Sequence, residues 1–262
     1  MNNTTKMQNH FERVASVYPN VRNTDTYIIE EIILNLTHHN RPVDIIDIGS
    51  GTGRYSELIA IHLDRSNPRI FCGDYSGAMI AKCCERMSQG FPSGNINCCR
   101  VNANGLPFRD CCFDAIVTFN AVHHFDLDYF VAESARILRP GGLLAIYTRT
   151  PEQNMRTVWG QYFPRFTERE TRLCRSERLE QAIGSISELE LKSIKTFTHM
   201  RVESPESLLS RARNFHYSTF ALYPQDEFKQ AMGTFAQRLT DPGTNGVIEH
   251  TAENTLMLAR RK

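Results

Sequence analysis

Three features that would assign a protein to a class are missing from this sequence. There is no surplus of one charge, because 30 basic and 29 acidic side chains leave a formal net charge of +1. A near-neutral chain lacks the positive field on which sequence-independent nucleic-acid binding depends. The apolar runs are of strand length, well short of the roughly 20 residues that span a bilayer, and the first residues carry no apolar signal region. We therefore predict a soluble, cytoplasmic protein without a membrane or nucleic-acid partner.

The rest of the composition is that of an ordinary globular protein. Hydrophobic residues make up 41% of the chain and charged residues 23%, which is enough apolar material for a packed core. A length of 262 residues suits one large domain, or a core that carries a small cap.

Cysteine is plentiful, but its spacing is not that of a common metal site. Six of the eight cysteines form the adjacent pairs Cys83-Cys84, Cys98-Cys99 and Cys111-Cys112. Zinc ligands are usually spaced C-x2-4-C, and two neighbouring residues do not easily close on one ion. A disulfide framework needs an exported protein. We therefore predict reduced, mostly buried thiols and no metal site, with capture of a soft metal or arsenic by neighbouring thiols as the alternative.

Short β-rich segments alternate with helical ones, which predicts an α/β fold of parallel strands joined by helices. Before residue 150 the strands are expected at 43–48, 69–73, 96–101, 113–119 and 143–148, with Pro140-Gly141-Gly142 as the turn into the fifth. After residue 150 we expect helical insertions, a helix at 176–184, and strands at 191–198 and 255–260. Ser204-Pro205 and Pro224 are predicted helix starts.

The strongest motif follows the first predicted strand, where residues 47–53 read Asp-Ile-Gly-Ser-Gly-Thr-Gly. Glycines let the chain turn sharply and let a ligand approach the backbone. The next helix presents free N–H groups and the positive end of its dipole, which suit a carboxylate or a phosphate. A nicotinamide dehydrogenase would need G-x-G-x-x-G and so a glycine at position 54, where this chain has Arg54. The spacing weakens that alternative.

The second predicted strand ends at Asp74, roughly 20 residues beyond the glycine loop, where folds of this kind hold a ribose diol. Its two carboxylate oxygens suit both ribose hydroxyls. The competing interpretation is that Asp74 only caps the helix that contains Met79.

Six motifs follow one another along the chain, at 47–53, 73–76, 102–108, 113–117, 123–125 and 136–142. Together they resemble those of class I S-adenosylmethionine-dependent methyltransferases, and in particular the small-molecule branch similar to the ubiquinone and menaquinone biosynthesis enzymes. The resemblance covers about residues 10–150. It implies a doubly wound, Rossmann-like sheet of seven strands whose last strand is antiparallel, with helical insertions that cap the substrate.

The resemblance also divides the chain and assigns its cofactor, S-adenosyl-L-methionine. Residues 1–40 are expected to form an N-terminal helical lid, residues 41–150 the cofactor-binding core, and residues 151–262 the cap insertions and the last two strands. The methionine part of the cofactor is expected to lie against Asp47, Gly49, Gly51 and Gly53.

The remaining cofactor contacts follow from the same motifs. Asp74 is expected to bind the ribose, with Tyr75 and Met79 near the adenosine and Asn120 near the reacting centre. Asn102 and Ala103 are expected at the adenine. The family usually has aspartate where this chain has Asn102, but an amide can accept from the adenine amino group and donate to a ring nitrogen.

His123 and His124 follow the fourth predicted strand and are candidates for a general base, His123 first, because histidine titrates near neutral pH. The alternative is that they only line the pocket. Tyr18 and Arg22 are expected to fold over the cofactor, where Arg22 would pair with its carboxylate. Further substrate contacts are predicted in the insertions, although aromatic stripes also form cores. These candidates are Arg149, Trp159, Tyr162, Phe163, Phe215, His216 and Tyr217.

The sequence thus predicts a methyltransferase, acting as a monomer or homodimer, that transfers a methyl group to an O, N or C atom of a small molecule. One alternative is a methyltransferase that acts on RNA or protein. The other is a protein that binds S-adenosylmethionine without catalysis.

Overall fold

The computed structural model describes residues 3–15, 24–36, 41–63, 67–91, 95–240 and 246–262. Within these residues seven strands form one sheet in the order β3-β2-β1-β4-β5-β7-β6. The pairs β1–β2, β2–β3, β1–β4 and β4–β5 are parallel, and β5–β7 is antiparallel. The predicted seven-stranded sheet with an antiparallel last strand is confirmed. The strands are β1 Asp44–Ile48, β2 Arg69–Asp74, β3 Ile96–Arg100, β4 Phe113–Phe119, β5 Leu138–Thr148, β6 Leu189–Glu203 and β7 Ile248–Arg261.

Every residue of β1 and β4, at the centre of the sheet, is buried. Parallel strands covered by helices on both faces show such continuous burial rather than alternation. From β1 the chain winds through β2 to β3 on one side, then returns to β4 and β5 on the other. The winding therefore reverses between β1 and β4. In open α/β sheets, a ligand crevice forms at the carboxyl ends of the strands at this point.

Helices connect the strands, and several begin at side-chain caps. Ser204 accepts from the Ser207 N–H, as predicted, and Thr150 and Gln153 form a reciprocal capping box. The helices described are α1 Asn3–Val14, α2 Tyr27–Leu34, α3 Arg54–Leu63, α4 Gly77–Gly90, α5 Leu127–Ile137, α6 Pro151–Arg156, α7 Val158–Tyr162, α8 Phe166–Arg169, α9 Ser176–Gly184, α10 Pro205–Arg213 and α11 Gln225–Leu239. None of the helices in these segments is both long and apolar enough to cross a bilayer.

Residues Pro140-Gly141-Gly142 were predicted to form a turn before the fifth strand, but they lie inside that strand. β5 already begins at Leu138, which pairs with Phe113, and the next pair is Leu143 with Ala115. Residues 139–142 therefore face the single residue Asp114 and form a bulge inside the strand. Gly141 supplies the positive φ of 78° that this bulge requires.

The chain divides into two compact units, and neither is one continuous segment. The core unit contains residues 23–148, 176–195 and 255–262, and the insertion unit contains residues 1–22, 149–175 and 196–254. The predicted boundaries at 40 and 150 assumed consecutive segments, whereas the core unit also takes in α9 and the end of β7. The insertion unit has its own apolar core, formed by Val158, Trp159, Phe163, Phe166, Leu208, Ala212, Phe220, Tyr223, Ala231, Phe235, Leu239 and Ile248.

Candidate functional site

The glycine loop connects β1 to α3 at the carboxyl edge of the sheet. Gly49, Gly51 and Gly53 have φ values of 76°, 56° and 76°, a region in which other residues are strained. The Gly49 N–H donates to the Gly73 carbonyl over 2.7 Å, which ties the loop to the end of β2. A Cβ built on Gly49 would lie 2.4 Å from the Ala121 Cβ in the loop after β4. Glycine at position 49 thus lets the loops after β1 and β4 meet.

Asp47 lies at the end of β1 beneath this loop and is 1% exposed. The Ser56 hydroxyl donates to its Oδ2 over 2.6 Å. Its Oδ1 is buried and accepts no hydrogen bond from the described residues. Burial raises the pKa of Asp47 to about 7, the Ser56 bond opposes the rise, and the charge of Asp74 adds to it. A positively charged donor bound at the Asp47 Oδ1 would stabilise the ionised form of this buried carboxylate.

Asp74 joins the second strand to the glycine loop. Its Oδ2 accepts from the Gly51 N–H over 2.9 Å, and its Oδ1 accepts from the Ser76 N–H over 2.8 Å. The N-cap residue of helix α4 is Ser76, whose hydroxyl accepts from the Met79 N–H. Because the Asp74 carboxylate also accepts from the glycine loop, a contact with the start of α4 is not its only one. A carboxylate offers about four acceptor positions, so Asp74 can accept from ligand hydroxyls as well as from the loop.

The two residues predicted beside the adenosine differ in exposure. Tyr75 is 43% exposed, and Met79 is 1% exposed. The Arg100 guanidinium lies 5.4 Å from the centre of the Tyr75 ring, and its Nε donates to the Tyr75 carbonyl over 2.9 Å. Tyr75 therefore offers a ring at the surface, whereas Met79 belongs to the packing under α4.

The loop after β3 is fixed by an ion pair from α5. Arg136 donates to the carbonyls of Leu106 and Phe108, and Glu133 accepts from the Leu106 N–H. Within the loop, Asn102 is exposed and its Oδ1 accepts from a backbone N–H two residues on, over 3.0 Å. Ala103 is 7% exposed. Arg136 and Glu133 therefore hold the loop after β3, which contains the predicted adenine contacts Asn102 and Ala103.

The loop after β4 contains the predicted base. Asn120 has a φ of 53°, and its N–H donates to the Tyr147 carbonyl over 2.7 Å. A short 3-10 turn, Val122–His124, follows it. The rings of His123 and His124 lie 4.2 Å apart, and both side chains are half-buried. Ala121 meets Gly49 of the glycine loop, and His123 and His124 follow Ala121 by two and three residues along the chain.

A tyrosine cluster at the same edge was not predicted. The Tyr147 hydroxyl, at the end of β5, donates to Asp25 over 2.9 Å and lies 3.1 Å from the Tyr27 hydroxyl. The Asp25 N–H donates to the Tyr55 hydroxyl over 3.3 Å. Burial, and then the charge of Asp25, raises the pKa of Tyr147. The available signal was one tyrosine directly after the buried aliphatic run 143–146 of β5.

The same segment before α2 makes a second contact with the core. The Arg54 guanidinium donates to the Thr24 hydroxyl over 2.5 Å. Arg54 is also the residue that replaces the third glycine of the dehydrogenase motif. Residues 24–27 are thus held beside the glycine loop by Arg54, Tyr55 and Tyr147.

Most of the predicted substrate residues lie in the insertion unit, and their burial differs. Trp159, Phe163 and His216 are between 1% and 2% exposed. These three pack inside the unit, which favours the core interpretation that the sequence left open. Tyr162, Phe215 and Tyr217 are half-buried. Tyr18 and Arg22 lie outside the described residues.

Arg149 is fixed from two sides within the insertion unit. Its Nε lies 3.2 Å from the Asn254 Oδ1, and its Nη1 donates to the Tyr217 hydroxyl over 3.1 Å. The guanidinium also lies 5.4 Å from the centre of the Tyr217 ring. Of the predicted substrate residues, Arg149 and Tyr217 form a preorganised pair of a cation and an aromatic ring.

Comparison with known proteins shows which families this chain resembles. Residues 46–146 match the family model described as "Methyltransferase domain". The chain is 34% identical over 116 residues to human "Probable tRNA methyltransferase 9B", covering 43% of this chain and 22% of that protein. It is 27% identical over 159 residues to the ubiquinone/menaquinone biosynthesis C-methyltransferase UbiE of Shewanella piezotolerans, covering 58% of this chain and 63% of the relative. The segment that matches the methyltransferase domain thus lies within the core unit.

A solved structure extends the likeness of fold beyond that domain. The geranyl diphosphate C-methyltransferase of Streptomyces coelicolor, in complex with S-adenosyl-L-homocysteine, superposes with a TM-score of 0.57 at 15% identity, covering 90% of this chain and 77% of that one. At this identity the likeness concerns the fold alone. The chain spans about a fifth of the length of the tRNA methyltransferase relatives and less than two thirds of the UbiE relative.

Proposed function

We propose that this chain transfers a methyl group from S-adenosylmethionine to an O, N or C atom of a small molecule. The observation that carries the proposal is the pair of carboxylates around the glycine loop. Asp47 holds a buried oxygen without a hydrogen-bond donor among the described residues, and Asp74 receives the loop's own Gly51 N–H.

The residues present suit the cofactor's polar groups. Asp47 would accept from the α-ammonium group, which supplies the positive charge that its buried carboxylate lacks. Asp74 would accept from the ribose hydroxyls while the Gly51 N–H holds its orientation. The backbone of Gly49, Gly51 and Gly53 carries no side chain that would keep the methionine part away.

When bound, S-adenosylmethionine supplies an electrophilic methyl group on a sulfonium. The task of the chain is then to hold the acceptor in line, an effect worth up to roughly 7–11 kcal/mol in favourable cases. Asn120, whose N–H bonds to the Tyr147 carbonyl, and His123 and His124 are polar residues of the loop after β4, which meets the glycine loop at Ala121. If the acceptor arrives protonated, we expect His123 to accept its proton.

A small molecule is preferred over RNA as substrate because of the charge of the chain. A formal net charge of +1 supplies little of the phosphate neutralisation that RNA binding uses. The resemblance to the UbiE relative covers more of both proteins than the resemblance to the tRNA methyltransferase. The tRNA relative nonetheless has the higher identity, so RNA methylation is the second candidate.

A transfer assay separates these functions. Purified chain and methyl-labelled S-adenosylmethionine are incubated in parallel with fractionated metabolites, total RNA and total protein. We expect label in a low-molecular-weight product that resists ribonuclease and protease, and none with Asp74→Asn. Label confined to RNA would establish the second candidate, and cofactor binding without label in any fraction would indicate a binding protein.

We also propose that the protein works in the cytoplasm, as a monomer or homodimer. All eight cysteines are free thiols, and neighbouring thiols persist unpaired in a reducing compartment. Sedimentation of the purified chain measures the oligomeric state.

A further inference from the structure

Three thiols converge inside the core unit, and the function proposed above uses none of them. Cys72 lies on β2, Cys98 is its register partner on β3, and Cys83 lies on α4, which connects the two strands. Their Sγ atoms all lie within 4.8 Å of one another. The adjacent cysteine pairs in the sequence did not predict this cluster, because each of the pairs 83–84 and 98–99 contributes only one of its two sulfur atoms.

We propose that Cys72, Cys83 and Cys98 form a three-thiolate site for a thiophilic d10 metal ion such as Zn²⁺. A Zn–S bond of about 2.3 Å places two sulfurs on one ion about 3.8 Å apart in tetrahedral geometry. The Sγ atoms of Cys98 and Cys83 are 3.7 Å apart. Since no separation in the group exceeds 4.8 Å, each differs from the required spacing by at most about 1 Å, which we expect side-chain rotations to close.

The three thiols differ in their exposure to water. Cys72 and Cys83 are fully buried, and Cys98 is half-buried. Binding of a divalent ion releases a proton from each thiol that is still protonated.

Cys84, which follows Cys83 in α4, is exposed, so a further sulfur lies at the surface next to the buried thiols. A Cβ built on Gly53 would lie 2.6 Å from the Cys83 Sγ. The site therefore lies directly behind the last glycine of the loop.

The test is a titration of the reduced, full-length chain with Cd²⁺, followed by the ultraviolet thiolate-to-metal charge-transfer band, and then with Zn²⁺ against a chromophoric chelator. We expect one equivalent to bind tightly. Cys98→Ser should weaken binding by about 100-fold or more. Cys99→Ser is the matched control, because neighbouring strand residues point to opposite faces, and it should bind as the wild type does.

Two further measurements keep the result decisive. Cys83→Ser should also weaken binding, whereas Cys174→Ser, in the insertion unit, should not. Circular dichroism checks that each variant is folded, and serine is close to cysteine in size. Wild-type affinity no higher than that of Cys98→Ser, or an equal loss in Cys99→Ser, would overturn the proposal.

Discussion

Replacing Asp47 by asparagine should move stability and cofactor affinity in opposite directions. Burial raises the pKa of Asp47 from 3.8 to about 7, against the Ser56 hydrogen bond and with the help of the Asp74 charge. Because the folded pKa exceeds the unfolded one, the folded chain binds more protons between these values, and its stability falls as the pH rises. About three pKa units at 1.36 kcal/mol each correspond to roughly 4 kcal/mol once the pH is well above 7.

Asp47→Asn removes this dependence, because the amide has the same shape and no charge. Relative to the variant, wild-type protein should lose roughly 2.5 kcal/mol of unfolding free energy between about pH 5 and pH 8. Urea unfolding at a series of pH values measures it. Calorimetry should show S-adenosylmethionine binding weakened by about 1.5–3 kcal/mol, the usual worth of a hydrogen bond to a charged group.

The control is Glu249→Gln, which removes an exposed carboxylate and should leave the pH dependence unchanged. Parallel pH profiles for Asp47→Asn and the wild type would refute the argument that burial destabilises the Asp47 carboxylate. A stabilised variant with unchanged cofactor affinity would instead show that another group receives the ammonium.

Four further predictions concern the remaining site residues. Asp74→Asn should weaken cofactor binding by about 2–4 kcal/mol in calorimetry while circular dichroism shows a native fold; unchanged affinity would falsify the ribose assignment. Gly49→Ala should destabilise the chain through its positive φ and its contact with Ala121, and Ala121→Gly should recover part of the loss in a double-mutant unfolding cycle. Trp159→Ala should cost about 3–5 kcal/mol of unfolding free energy, since it empties the insertion core; a kinetic defect in a fully stable variant would point to substrate contact instead. His123→Asn should lower the turnover rate by about 10²–10⁴-fold at unchanged cofactor affinity and remove the alkaline rise in the pH–rate profile, whereas His124→Asn should not.

The sequence predicted the centre of the sheet well because local signals and tertiary environment agree there. The strand predicted at 113–119 has the same bounds in the structure, where β4 is Phe113–Phe119. β6 has 15 residues and β7 has 14, so both are much longer than the strands predicted at 191–198 and 255–260. Exposed and half-buried residues alternate along β6, so hydrophobicity alone did not mark its extent.

Contacts between distant segments could not be derived from the chain. The cluster of Cys72, Cys83 and Cys98 depends on the register of β2 with β3 and on the packing of α4. Neither of these can be derived from the spacing of cysteines in the sequence. The anchoring of Asp25 by Tyr55 and Tyr147 likewise joins residues 30 and 122 positions apart. The glycine loop and Asp74 were found because their contacts are set by local turns at consecutive strand ends.

The position of β7 between β5 and β6 has a consequence for synthesis on the ribosome. β6 is translated before residues 204–247, and its sheet neighbour β7 only follows them. At about 5–20 residues per second, the nascent chain therefore carries two open strand edges, those of β5 and β6, for several seconds. Such edges recruit other strands. Chaperone demand and aggregation during expression should accordingly be greatest in this interval, and slower translation of residues 204–247 should reduce the yield of native protein.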